Sequence, residues 1–282
     1  RMSVEKHQII DDIGLLEISN PPVNAISAAV RIGLLEAIEK LSSNEKVKAV
    51  VITAPESTFI AGADIKEFGK KVDAPILGKI CDKIESLNKI VVASLHGTPL
   101  GGGLEVAMSA HYRIAAPNTK VGLPEVLLGI LPGAGGTQRL PRLCGVDMAL
   151  DMMLTGRHVP AKEALSSGII DEIAENNNTL DNGIEYAKKL LKDGFKPRPT
   201  SQIQNKITET KETSELILKF KDIASTKFKN LFSPHAIIRS VEEGLKLDFA
   251  DAISNERKLF EECIESPQRQ GLIHSFFAER SN

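Results

Sequence analysis

His96-Gly97-Thr98-Pro99-Leu100-Gly101-Gly102-Gly103-Leu104-Glu105 is the stretch on which the fold turns. The residues before it, 90–95, read as a strand, and those from about 102 to 110 read as a helix. Strand, glycine-rich turn and helix in that order form a unit of α/β architecture. Three glycines in front of a helix let backbone approach a ligand closely. The freed N–H groups at the helix start favour negative charge. Such a turn can serve a phosphate or an oxyanion, or simply allow tight packing of helix on strand. It is not a nucleotide-binding P-loop, because the closing Lys-Ser/Thr is missing. It is also no dinucleotide fingerprint, because no GxGxxG lies between an early strand and a helix.

The same alternation extends outward. Ile9-Ile10 and residues 14–18 predict short paired strands around an Asp-Asp turn. Apolar residues at Val30, Leu34, Ala37, Ile38 and Leu41 recur with a helical period, as do Ile76, Ile80, Ile84 and Leu87. Residues 47–53 predict a buried strand, and 113–116 and 169–173 two more. Residues 192–201 hold Gly194, Pro197 and Pro199 and read as a linker. Beyond it the pattern is helical only, over 216–231, 234–247, 252–264 and 268–280. The chain is expected to divide into an α/β body, residues 1–195, and an all-helical tail, residues 196–282.

Composition excludes several classes. At 282 residues the chain can bury a core without disulfides or metals. Lys+Arg is 35 against Asp+Glu 37, so net charge gives no reason to expect nucleic acid as a partner. No apolar run approaches the roughly 20 residues of a membrane span. Cys81, Cys144 and Cys263 are far apart, with no zinc-ligand spacing, and fit reduced thiols. No metal is expected.

Two glutamates sit beside glycine-rich turns. Glu105 falls in the first turn of the predicted helix among Leu104, Val106, Ala107 and Met108, a buried setting. Glu125 lies between Pro124 and Val126-Leu127-Leu128. Each alone could be a carboxylate that merely complements a helix N-terminus. Together they suggest a pair for general acid and base work.

GADIKEF at 62–68, GGGLEVAM at 101–108 and LPEVLLGILPGAGGTQRLPRL at 123–143 resemble the crotonase, or enoyl-CoA hydratase/isomerase, family over residues 5–195. The resemblance implies the crotonase (ClpP-like) fold, a spiral of strand-strand-helix units. It implies an oxyanion hole made by the backbone N–H groups of Ala63 and Gly102. It gives Glu105 the attacking water and Glu125 the proton added at carbon 2. It places CoA and substrate contacts at Ala61, Gly62, Asp64, Ile65, Gly101, Pro132 and Gly133, with His96 and His111 structural. The implied activity is hydration of 2-enoyl-CoA in fatty acid β-oxidation, with isomerisation of 3-enoyl-CoA as a side activity. The CoA thioester is then substrate, and the chemistry needs no cofactor.

The tail resembles the segment that joins hydratase to dehydrogenase in multifunctional enzymes of type 1. That implies an NAD-binding dehydrogenase half beyond this chain, a monomer or homotrimer, and a bacterial cytoplasm or, in a eukaryote, a peroxisome. Phe276, Phe277 and Arg280 would cover the CoA from the tail. Two alternatives stay open: an isomerase only, and a non-catalytic CoA-fold or RNA-binding module using Lys206, Lys211, Lys219, Lys221, Lys227 and Lys229. Interleaved acids favour a solvated face for those lysines.

Overall fold

Asp11-Asp12 reverses the chain between β1 (Val4–Ile10) and β2 (Ile13–Ser19), with Ile10 opposite Ile13. Asp11 takes a φ of 55° there, a left-handed conformation that Asp tolerates better than most residues. The computed structural model describes residues 4–20, 25–55, 58–60, 62–63, 67 and 74–267. The expected segment 268–280 lies outside them, and so do Phe276, Phe277 and Arg280. The chain packs as two compact units, Arg1–Val121 with Val159–Gln202, and Gly122–His158 with Ile203–Asn282.

The first unit is built on a six-stranded sheet. Numbered along the chain, its other strands are β4 (Ala49–Thr53), β6 (Ile90–Leu95), β7 (Tyr112–Ala115) and β10 (Glu172–Ile173), in the order β1-β2-β4-β6-β7-β10. Only the β1–β2 pair is antiparallel; the other pairs are parallel. Every residue of β4 and β6 is buried, so both read as unbroken apolar runs rather than alternating ones. Helices α1 (Ala28–Ser43), α2 (Leu77–Glu85), α3 (Gly102–Ser109), α6 (Ala161–Ser167) and α7 (Thr179–Lys192) belong to the same unit, α1, α6 and α7 packing on the sheet and α2 packing on α1 and α3. α7 packs on β4 and β6 through Ile184, Ala187 and Leu190. Two short pairs complete the unit, β3 (Ala25–Ile26) with β5 (Gly62–Ala63), and β8 (Lys120–Val121) with β9 (Val159–Pro160).

The second unit is helical. A 3-10 turn, Pro124–Leu128, is followed by α4 (Gly136–Cys144), α5 (Val146–Thr155), α8 (Lys211–Lys227), α9 (Phe232–Gly244) and α10 (Phe249–Glu265). α4 packs against α5, α9 and α10, and α8 against α9. No helix among the described residues is long and apolar enough to cross a membrane. Lys221 pairs with Glu242 at 2.8 Å, as a solvated helical face would.

The structure departs from the sequence reading in three places. Of residues 169–173 only the last two form a strand. Ile169 and Ile170 both donate to the Ala164 carbonyl, closing α6 behind Gly168. Residues 192–201, read as a linker, are pinned to the first unit. Tyr112 Oη donates to Lys196 O at 2.7 Å, Arg198 bonds Asp171 at 2.7 Å, and Thr200 Oγ1 donates to Met108 O at 2.8 Å. Four helices, α4 to α7, form where periodicity singled out none.

Candidate active site

Backbone contact brings together the two segments of the first unit from which the resemblance leads one to expect an oxyanion hole. Phe59 N–H donates to His96 O at 3.0 Å, and Thr98 N–H to Thr58 Oγ1 at 2.8 Å. A Cβ on Gly103 would collide with the Ile60 carbonyl oxygen, and one on Gly62 would stand 3.3 Å from Leu100 O and 4.0 Å from Gly102 N. Thr58, Phe59, Ile60 and Gly62 therefore lie against the turn from Gly97 to Gly103, at a distance that at Gly97 and Gly103 only glycine permits. Gly101 has φ 56° and ψ −126°, which L-residues avoid, and it reverses the chain into α3. As the first residue of α3, Gly102 has no acceptor for its N–H within the helix. Ala63 lies in β5, where its neighbour Gly62 pairs with Ala25. Ala61, Asp64 and Ile65 lie outside the described residues.

Glu105 occupies the first turn of α3, its N–H bonded to Gly101 O at 3.0 Å, and is 3% exposed. The positive end of the helix faces a carboxylate there. The other end of α3 is held by a residue that sequence reasoning missed. Arg113 is wholly buried. Its Nη1 donates to Ala110 O at 2.8 Å and Ala107 O at 3.2 Å, and its Nε to Ile169 O at 2.7 Å. Asp171 lies 3.9 Å from Nη2. Burial lowers the Arg113 pKa to about 10, with Asp171 opposing, so it remains a cation at neutral pH. A cation at the C-terminal carbonyls complements the helix dipole.

His111 is a packed, neutral ring. Its Nδ1 accepts from Val91 N–H at 3.0 Å, so Nε2 carries the proton toward Glu85 O at 3.0 Å. Burial lowers its pKa. Two of the thiols are unsuited to nucleophilic work, because burial pushes Cys144 and Cys263 up to about 12. Among the described residues no cluster of three or more His, Cys, Asp or Glu could hold a metal.

The second unit carries Glu125, Pro132 and Gly133. Glu125 follows Pro124 in the 3-10 turn, which Gly129 closes in a left-handed conformation. Glu125 is half-buried, and its Oε1 is shielded from solvent. Ile130 N–H returns to Glu125 O at 3.2 Å. Pro132 is buried, and a Cβ on Gly133 would collide with the Phe260 ring of α10. Glu256, one turn earlier on α10, is 1% exposed. It accepts the N–H groups of Gly135 at 2.7 Å and Thr137 at 3.0 Å, and the Thr137 hydroxyl. The signal that could have found Glu256 is a carboxylate in the apolar stripe Ala252, Glu256, Leu259 and Cys263.

Comparison with known proteins shows the family and the fold. Residues 8–251 match the family model described as enoyl-CoA hydratase/isomerase. The peroxisomal bifunctional enzyme of Danio rerio is 40% identical over 270 residues, covering 95% of this chain and 37% of that protein. The peroxisomal fatty acid beta-oxidation multifunctional protein AIM1 of Arabidopsis thaliana is 34% identical over 280 residues, 96% of this chain and 39% of that protein. The chain thus spans well under half the length of these relatives. Among solved structures, enoyl-CoA hydratase subunit I of Geobacillus kaustophilus superposes with a TM-score of 0.62 at 26% identity, covering 98% of this chain and 95% of that one. The α/β crotonase fold with C-terminal helices, expected from the motifs, is the fold observed.

Proposed function

The chain belongs to the enoyl-CoA hydratase/isomerase family, and on that premise we propose that it adds water across the 2,3 double bond of a 2-enoyl-CoA in fatty acid β-oxidation. The observation that carries this reading is the close packing of the glycine turn 101–103 on Ile60 and Gly62, with buried Glu105 in the helical turn that follows. Backbone N–H groups of Ala63 and Gly102 hold the thioester oxygen. Each such donor contributes about 3 kcal/mol in the transition state. Polarising the thioester draws electron density from the conjugated bond and makes carbon 3 electrophilic.

Glu105 takes a proton from water as the water oxygen bonds to carbon 3. Glu125, protonated, delivers its proton to carbon 2. The product is a 3-hydroxyacyl-CoA, and one proton returns from Glu105 to Glu125 through solvent before the next turnover. A carboxylate beside carbon 2 can equally remove a proton from a 3-enoyl-CoA and return it to carbon 4, which supports isomerisation as a side activity. Gly62 and Gly101 supply backbone beside the thioester, and Pro132 and Gly133 the loop beside the acyl chain.

The names of the relatives favour the peroxisomal compartment over a bacterial cytoplasm for this chain. A longer protein with an NAD-dependent dehydrogenase half belongs to the same proposal.

Hydration of a short 2-enoyl-CoA, followed as loss of the conjugated thioester absorbance, tests it. Wild type turns over without added cofactor. Glu105→Gln and Glu125→Gln each lose about 100-fold or more, the range for one acid or base group. Conversion of a 3-enoyl-CoA with no hydration would leave an isomerase. Inactivity on both substrates would reject the enzymatic reading.

A further inference from the structure

The proposed chemistry uses nothing from α10, yet one face of that helix lies along the loop that follows Glu125. Glu256, Phe260 and Cys263 are spaced by four and three residues, so they share a face. Cys263 meets the Leu131 backbone, Phe260 covers Gly133, and Glu256 bonds Gly135 and Thr137. At the near end of the same loop, Ile130 N–H bonds back to Glu125 O. The loop 131–137 is therefore gripped along its length by α10 and tied at its start to the turn bearing Glu125.

Glu256 holds this arrangement in place. A buried carboxylate is unfavourable unless its oxygens are bonded. Here both are: Oε1 takes the Gly135 N–H, and Oε2 takes the Thr137 N–H and hydroxyl. These N–H groups stand at the opening of α4, where donors have no partner within the helix and the dipole favours an anion. α4 itself begins at Gly136 and contains Pro141, so its own propensity is poor. A carboxylate from 119 residues further along the chain compensates.

We propose that Glu256 is a positioning residue for the hydration step: it fixes the 131–137 loop, and through that loop the Glu125 carboxylate that protonates carbon 2. The inference rests on the role of Glu125 proposed above. Glu256→Gln preserves size but replaces one acceptor oxygen with an NH2 group that faces an N–H donor.

The test compares wild type, Glu256→Gln and Phe260→Leu on a short 2-enoyl-CoA, in H2O and D2O. Glu256→Gln is expected to lower kcat by about 10- to 100-fold, the effect of a sub-ångström to 1 Å misplacement of a reacting group. KM stays within about twofold of wild type. The solvent isotope effect on kcat rises, because a misplaced donor makes proton transfer more limiting. Phe260→Leu, which loosens the same loop without altering charge, moves both readouts in the same direction by less. A merely structural loss lowers the amount of active enzyme and leaves the isotope effect, a ratio, unchanged; that result overturns the proposal. So does a Glu256→Gln enzyme with wild-type kcat. Wild type that fails to hydrate would overturn the assignment of activity and this proposal with it, whereas an active wild type with an unaltered variant would overturn this proposal alone.

Discussion

Gly103 shows how one missing methyl group decides a site. Any Cβ at this position meets the Ile60 carbonyl oxygen, and backbone cannot rotate aside as a side chain can. Gly103→Ala is therefore expected to push the glycine turn away from Ile60, costing about 1–3 kcal/mol as overpacking does. Because Gly102 moves with it, hydration of a short 2-enoyl-CoA should fall by about 100-fold. Thermal unfolding and the absorbance assay check the two halves separately. His111 makes a different prediction at the same scale. Its folded-state pKa is lowered by burial, so the unfolded chain binds a proton at higher pH than the native protein does. The stability it contributes is complete above about pH 6.5, the ordinary imidazole value, and is lost as the pH falls from there to the lower native value. Unfolding midpoints measured between pH 8 and pH 5 should decline in wild type, and His111→Gln should flatten that decline while lowering the midpoint at pH 8.

Elements show why some of the fold was legible and some was not. α1, α2 and α3, and strands β4 and β6, announce themselves because the signal is local: a 3.6-residue stripe, or an apolar run bounded by turns. α4 does not, since a glycine at its start and a proline inside it argue against a helix, and what stabilises it, Glu256, lies far along the chain. Segment 192–201 misleads for the same reason. Its glycine and prolines mark an end of regular structure, but Arg198 and Thr200 fasten it through partners more than twenty residues away. The candidate site divides in the same way. Glycines and glutamates were readable from motif and spacing, while the cation that holds the far end of α3 was not. Arg113 serves three carbonyls and Asp171 from full burial. Arg113→Met would leave those acceptors and a carboxylate without it, a loss of roughly 3–5 kcal/mol. In a chain of this length that is a fall in Tm of about 10 °C. Hydration should fall with it at temperatures well below the new midpoint, because α3 carries both Gly102 and Glu105.

At the scale of the whole molecule, motifs and packing divide the chain differently. The motifs to which the proposed chemistry is assigned all lie within residues 1–195, which invites the view that this stretch alone would carry it. Residues 122–158, however, cluster with residues 203–282, not with the sheet. α4 rests on α9 and α10, α5 on α8 and α9, and Lys206 Nζ caps α4 through Leu143 O at 2.7 Å. A chain ending at Gln202 would keep every motif residue, yet would strip the segment bearing Glu125 of its apolar cover and of the Glu256 carboxylate. Such a chain is expected to retain sheet signal by circular dichroism, bind a hydrophobic dye, be cut by protease within 122–158, and show no hydration. Hydration at the wild-type rate by that shortened chain would mean that the α/β body alone organises Glu125, and that the tail helices serve some other purpose than the active site.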